Sequence, residues 1–207
     1  MSQLERSWVR AWGGVGSRTQ GTEVREALVA RYEEPQRKYH TLQHLTECLA
    51  SFETVQDLPI HAAEVEVALW FHDAIYDVKR SDNEERSAEW AKAELMSANV
   101  PPQVAERIHA LVMATKHSAT PVEIDEQVLI DVDLGILGSS ESRFAEYERQ
   151  IRAEYAFVPS LLFKRKRRAI LQSFIDRPRI YSTSHFHAAF EARARTNLQF
   201  AVGKSAG

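Results

Sequence analysis

The sequence predicts an all-α protein, a helical bundle. Two observations carry that prediction. Apolar residues recur at three- and four-residue spacing along most of the chain, and Pro and Gly fall between those periodic segments. Nowhere do two alternating runs flank a tight turn, as a β-hairpin requires. A chain of 207 residues suits one well-packed domain. Residues 1–207 are therefore read as a single domain, with an N-terminal helix and loop over 1–21 and C-terminal helices over 140–200 completing it.

The elements follow in order. Leu4, Trp8 and Trp12 share one face of a short first helix that Gly13 and Gly14 end. A second helix runs from Thr22 to about Glu33, with Val24, Leu28 and Tyr32 in line, and Pro35 breaks the chain after it. Thr41 is the N-cap of a helix to about Val55, whose apolar stripe is Leu45, Leu49 and Phe52. The next helix starts near Pro59 and runs into Trp70, Phe71, His72 and Asp73. Its Val65-Glu66-Val67 alternation mimics a strand, but a strand with no partner is the poorer reading. Ser81-Asp82-Asn83-Glu84 has the capping-box pattern, and Ala88, Ala91 and Leu95 carry that helix inward. Pro101 and Pro102 open another, with Ile108, Leu111, Val112 and Thr115 on one side. Asp125 to Leu137 is an apolar segment bearing Asp131 and Asp133. Phe144, Tyr147, Ile151 and Tyr155 mark a long amphipathic helix; Pro159 starts one that ends before Pro178, and the last spans about Ser184 to Phe200. The total is roughly eight to ten helices.

Composition narrows the function. With 26 basic against 29 acidic residues the net charge is −3, which argues against a dedicated nucleic-acid binder. The run Lys164-Arg165-Lys166-Arg167-Arg168, flanked by Leu161, Leu162, Ile170 and Leu171, reads as the solvated face of an amphipathic helix. Cys48 is the only cysteine, so no internal disulfide forms and a reducing compartment is the simplest home. The N-terminus lacks the basic-then-apolar order of a signal peptide. The longest apolar run, Val67 to Phe71, falls far short of the ~20 residues of a membrane helix. A cytoplasmic protein with no membrane partner is expected, and a homodimer is the default assembly.

Chemistry concentrates where histidines and aspartates interrupt apolar segments. His72-Asp73 follows Leu69-Trp70-Phe71 at the end of the most apolar helix, where an ionised carboxylate is costly unless paired or bound to a cation. His44 edges the apolar stripe of a separate helix, one turn before Cys48. Asp131 and Asp133 interrupt Val128-Leu129-Ile130 and Ile136-Leu137. Two imidazoles and two carboxylates suit a borderline divalent ion such as manganese, iron, cobalt, nickel or zinc. They suit a calcium or magnesium cage, mostly oxygen, less well.

The order His44, then His72-Asp73, then an aspartate about sixty residues on, resembles the HD-domain phosphohydrolase superfamily. The wording is closer still to a bacterial subgroup of predicted metal-dependent phosphohydrolases. Tyr39-His40-Thr41-Leu42-Gln43-His44, Phe71-His72-Asp73-Ala74-Ile75-Tyr76-Asp77 and Ala114-Thr115-Lys116-His117 are similar to its signatures. So are Asp131 to Gly138, Arg177 to Tyr181, and Glu191 to Leu198. The resemblance spans about residues 31 to 198.

The resemblance implies a helical bundle of the HD-domain type, with His44, His72 and Asp73 as metal ligands. On a helix Asp131 and Asp133 point about 200° apart, so at most one faces the metal. The apolar pattern does not choose between them; the Ala-Asp-Arg-Leu motif of other family members favours Asp133. The implied activity is hydrolysis of a nucleotide or other small phosphate ester by metal-activated water. Asp73 is placed at that reaction, and Asp77, one turn further if the helix continues, would take or orient the water's proton. Lys116, His117, His40, Arg37 and Lys38 are the candidates for holding the phosphorylated substrate. Two alternatives stand beside this one. A di-iron HD-type oxygenase would need further ligands from His40, His109 or His117. A regulatory module would bind a nucleotide without turnover.

Overall fold

The computed structural model describes residues 1–117 and 119–204. Among them the chain is all-helical, with ten α-helices, one 3-10 turn and no strand. It divides into two units, Met1–Asp133 and the segment from Leu134 onward.

The first unit is organised by its fourth helix. Its elements are α1 (Gln3–Gly14), α2 (Thr22–Tyr32), α3 (Leu42–Glu53), α4 (Ala62–Phe71), α5 (Asn83–Ser97), α6 (Pro102–Ala114) and α7 (Ile124–Asp133). Every residue of α4 from Glu64 to Phe71 is buried. A helix apolar all round must be enclosed, and α1, α3, α5, α6 and α7 all pack on it. The two glutamates that gave its sequence a strand-like alternation are therefore buried charges that need partners. Glu66 receives hydrogen bonds from Ser7 Oγ (2.7 Å) and Arg10 Nε (2.9 Å), and Glu64 from Arg107 Nε (2.8 Å). Ser7 Oγ also accepts from Trp70 Nε1 at 3.0 Å. Around that network Trp8 stacks on Trp12 and takes the edge of Trp70, with ring centroids 4.8 and 5.1 Å apart.

Helix starts follow local chemistry. Thr41 has extended backbone, and its hydroxyl accepts from Gln43 N, as the sequence predicts for α3. Ser2 and Glu5 form a full capping box on α1. The box expected at Ser81–Glu84 does not form. Asp82 is the N-cap of α5, but its backbone (φ −118°, ψ 25°) does not aim the side chain at the helix amides. Its carboxylate pairs instead with Arg80 Nε at 2.7 Å.

The second unit comprises a 3-10 turn (Leu134–Gly138), α8 (Glu141–Glu154), α9 (Ser160–Ile175) and α10 (Ser184–Lys204). Asn197 on α10 donates to the carbonyls of Leu137 (2.9 Å) and Ser139 (3.0 Å), and the Tyr181 hydroxyl to that of Leu134 (3.0 Å). Arg195 closes the C-terminal end of α9 by donating to the carbonyls of Ile175, Arg177 and Pro178. Glu191 accepts from Arg195 and from the amides of Ile180 and Tyr181. The segments Arg177 to Tyr181 and Glu191 to Leu198 therefore include the tie that turns the chain between α9 and α10. Helix α9 buries only Leu171. Lys164, Arg165, Lys166 and Arg168 face solvent, while Arg167 donates to Glu148 (Nε, 3.1 Å).

Candidate metal centre

The centre lies within the first unit, at the C-terminal end of α4. The chain has no glycine or proline there, so the orphan carbonyls of the helix end need other donors. Side chains supply them. His72 Nδ1 donates to Leu69 O at 2.7 Å, and the buried Tyr32 hydroxyl to Trp70 O at 3.2 Å. Burial pushes the Tyr32 phenol up to about 12, so it stays a donor. Arg37 Nη1 donates to Asp73 O (2.6 Å) and Nη2 to Ala74 O (2.9 Å). The helix stops at Phe71; His72, its C-cap, keeps right-handed helical backbone (φ −55°, ψ −39°), and Asp73 lies in the turn beyond, where Arg37 holds the carbonyls.

A carbonyl only accepts, so His72 Nδ1 carries a hydrogen and Nε2 is the atom turned inward, able to ligate once its own proton has left. A backbone partner that fixes the tautomer in this way is the usual outer support of a metal-binding histidine. His44, from the buried face of α3, brings its Nε2 to within 3.1 Å of His72 Nε2. Asp73 Oδ2 lies 3.1 Å from His72 Nε2 and 3.4 Å from His44 Nε2. Asp133, the last residue of α7, places Oδ1 at 3.3 Å from His44 Nε2 and 3.5 Å from His72 Nε2. Donors about 2.1 Å from one ion stand roughly 3.0–3.4 Å apart in octahedral or tetrahedral arrangements. The spacing of these atoms fits a single divalent ion.

Cys48, one turn along α3 from His44, also belongs to the neighbourhood. One donor atom from each of His44, Cys48, His72 and Asp133 lies within 4.8 Å of every other, so this group could hold a metal. Cys48 Sγ is 3.7 Å from His44 Nδ1 and 3.8 Å from Nε2. Being nearly equidistant, it sits beside the ring and off the Nε2 lone-pair direction. Asp73, close to both Nε2 atoms, completes the better-directed set, with Cys48 behind it. The sequence signal for Cys48 was its position four residues from His44 on one helix face.

The electrostatics are those of a compact ion cluster. Burial opposes charging His44, yet Cys48, Tyr39 and hydrogen bonds to Asp133 and Asp73 outweigh it and hold the ring well above the ordinary histidine value. His72 moves the same way against the same burial, through Asp73, Tyr32 and Asp133. Burial alone would raise the two carboxyls. His72 and His40 instead hold Asp73 well below its ordinary value, and His117, His44 and His72 do the same for Asp133. The imidazoles are sealed, with side chains 3% and 1% exposed, whereas Asp73 and Asp133 are 19% and 14% exposed. Solvent thus reaches the group on its carboxylate side.

The other residues singled out in the sequence fall in different places. His117 Nε2 pairs with Asp133 Oδ2 at 3.1 Å, so the two oxygens of Asp133 face different imidazoles. His117 adopts φ 53°, a left-handed conformation rare in residues with side chains, just beyond the end of α6. His40 stacks on Tyr76 with centroids 3.9 Å apart and lies 5.9 Å from the His44 ring. Lys38 donates to Pro35 O at 2.8 Å, and Lys116 pairs with Glu85. Arg37, read from sequence beside Lys38 as a cation for phosphate, is buried, with its guanidinium turned onto backbone carbonyls. Asp131 is fully buried. Asp77 was expected one helical turn beyond Asp73, but α4 has ended before Asp73, so that turn does not exist. Asp77 is exposed, and its carboxylate accepts from Lys79 N at 2.9 Å, capping its own turn.

Compared with known proteins, the chain matches no family model, no curated protein and no solved structure. What the site does must be argued from its own atoms.

Proposed function

We propose that the chain is a metal-dependent phosphohydrolase of the HD-domain type, acting on a nucleotide or other small phosphate ester. One observation carries the reading: two imidazole Nε2 atoms 3.1 Å apart, with an oxygen of Asp73 and one of Asp133 within 3.5 Å of both. His44, His72, Asp73 and Asp133 would hold a manganese, iron, cobalt, nickel or zinc ion. The chemistry such an ion supplies when bound is Lewis acidity, which makes water acidic near neutral pH and polarises a phosphoryl oxygen. The chain's own residues supply the remainder. His72 keeps its proton on Nδ1 against Leu69 O, leaving Nε2 as a donor. Asp133 holds His117 at the more exposed side of the cluster, where its imidazole can meet a phosphate oxygen. His40, on Tyr76, flanks Asp73 from the opposite segment.

A second reading has one specific observation behind it. Because Asp133 faces His44 and His72 with one oxygen and His117 with the other, a second metal could be served from the same carboxylate, as a di-iron oxygenase requires.

The deciding experiment is elemental analysis of protein purified without chelator, with an assay against a panel of nucleotides and phosphomonoesters. About one ion per chain, with phosphate release abolished in His72→Ala, supports the hydrolase. Two irons per chain and oxygen consumption without phosphate release support the oxygenase. Absence of metal refutes both and leaves a nucleotide-binding module.

A further inference from the structure

Arg37 has a side chain that is 0% exposed, yet it carries a full positive charge beside the candidate metal centre. Its hydrogen bonds are nearly all to backbone. Nη1 donates to His40 O (3.2 Å) and Asp73 O (2.6 Å), Nη2 to Ala74 O (2.9 Å), and Nε to Glu34 Oε2 (3.3 Å). The guanidinium also lies over the rings of Tyr32 and Tyr76, 5.3 and 5.7 Å from their centroids. His40 belongs to the segment that leads into α3 and so to His44. Asp73 and Ala74 belong to the turn that presents His72 and Asp73. One planar fork therefore binds the two ligand-bearing segments to each other.

We infer that Arg37 is the positioning residue of the metal centre: by joining His40 O to the carbonyls of Asp73 and Ala74, it sets the register between His44 and the His72–Asp73 pair. The inference rests on the metal-centre reading and adds to it a residue that touches neither ion nor substrate. Lysine cannot replace it, because an ammonium offers a cone of donors where these carbonyls require a fork. Loss of such an outer support commonly weakens metal binding 10–100-fold.

The test is cobalt(II) titration of metal-free protein followed by visible absorption, in wild type, Arg37→Lys, Arg37→Gln and Tyr32→Phe. Tyr32→Phe is the control, since it removes a hydrogen bond to the same helix end at Trp70 O without touching the Asp73 turn. His72→Ala, expected to abolish the signal, assigns the cobalt to this site. The Arg37 variants should bind cobalt about 10–100-fold more weakly and show a shifted band at saturation. Tyr32→Phe should lose stability but keep the wild-type band and affinity. If Arg37→Gln does not fold, Arg37→Lys, which preserves the buried charge, carries the comparison. Arg37 variants within twofold of wild type with an unchanged band overturn the inference, as does an equal effect in Tyr32→Phe. A wild-type protein that takes up no cobalt overturns the metal-centre reading, and this inference with it.

Discussion

Exchanging Asp133 for asparagine tests the centre at the candidate ligand that the resemblance favours over Asp131. In wild type, metal at 100 times its dissociation constant should stabilise the folded chain by about 2.7 kcal/mol. For a protein of this size each kcal/mol moves the melting temperature by about 2–4 °C, so the expected rise is roughly 5–11 °C. Asp133 Oδ1 is one of four convergent donors, 3.3 and 3.5 Å from the two Nε2 atoms. Asparagine keeps the shape but offers a neutral amide in place of a carboxylate. A loss of about 100-fold in affinity, the upper end for disturbing even an outer support, leaves the metal at its own dissociation constant. The stabilisation then falls to about 0.4 kcal/mol, or a shift of about 1–2 °C. Asp131→Asn alters a fully buried residue outside the donor group, so it should lower the baseline melting temperature yet keep the full metal-induced rise. The assay is thermal unfolding of chelator-stripped protein with and without added cobalt, manganese or zinc, read as the metal-induced shift. Equal shifts in wild type and Asp133→Asn, or loss of the shift in Asp131→Asn, would refute the assignment.

Three other outcomes are expected. Both imidazoles are held well above their ordinary value of 6.5, so at pH 7 a cation must displace protons to bind. At least one proton should be released per ion, and affinity should rise with pH; calorimetry in buffers of different ionisation enthalpy would show no difference if this were wrong. Arg10→Ala strips the partner from Glu66, which is 1% exposed. Urea unfolding should show a loss of about 3 kcal/mol, at the low end for a broken buried pair because Arg10 is 39% exposed and Ser7 still donates. Glu191 is held below its ordinary 4.5 because hydrogen bonds from Ile180, Tyr181 and Arg195 outweigh burial. A depressed carboxyl stabilises above its unfolded pKa and loses that contribution as pH falls through its folded one. Wild type should therefore lose stability below about pH 4.5 more steeply than Glu191→Gln, and parallel pH profiles would contradict the role given to that tie.

Much of the helical layout was legible because breakers and apolar period agree. Thr41 starts α3 and Pro102 starts α6 in the structure as in the sequence. What resisted reading was whatever depended on where a helix stops. Asp77 is placed in the sequence by continuing α4 past Asp73, and no residue there announces an end; the turn that follows Phe71 is tied down by Arg37, far earlier in the chain. The same blindness applies to Arg37 and Lys38. They are neighbours of like charge, yet one is buried against carbonyls and the other is exposed at the surface. Sequence spacing cannot separate them, because the acceptors that bury Arg37 exist only once the turn is built. The Ser81–Glu84 pattern fails for a local reason: α5 starts at Asn83 with Asp82 as its N-cap, so Ser81 lies outside the capping position.

The uneven exposure of the four donors fixes an order of events. With the imidazoles sealed and the carboxylates open, whatever approaches the centre from solvent first meets Asp73 and Asp133. In the proposed hydrolase a divalent cation is drawn to those carboxylates as the imidazoles release their protons, whereas a phosphate ester finds a counter-charge there only once the cation is in place. If the chain is the phosphohydrolase proposed above, its working complex assembles in sequence, cation before ester. Saturating ester should not lead the metal in, and kinetics with both varied should follow an ordered scheme.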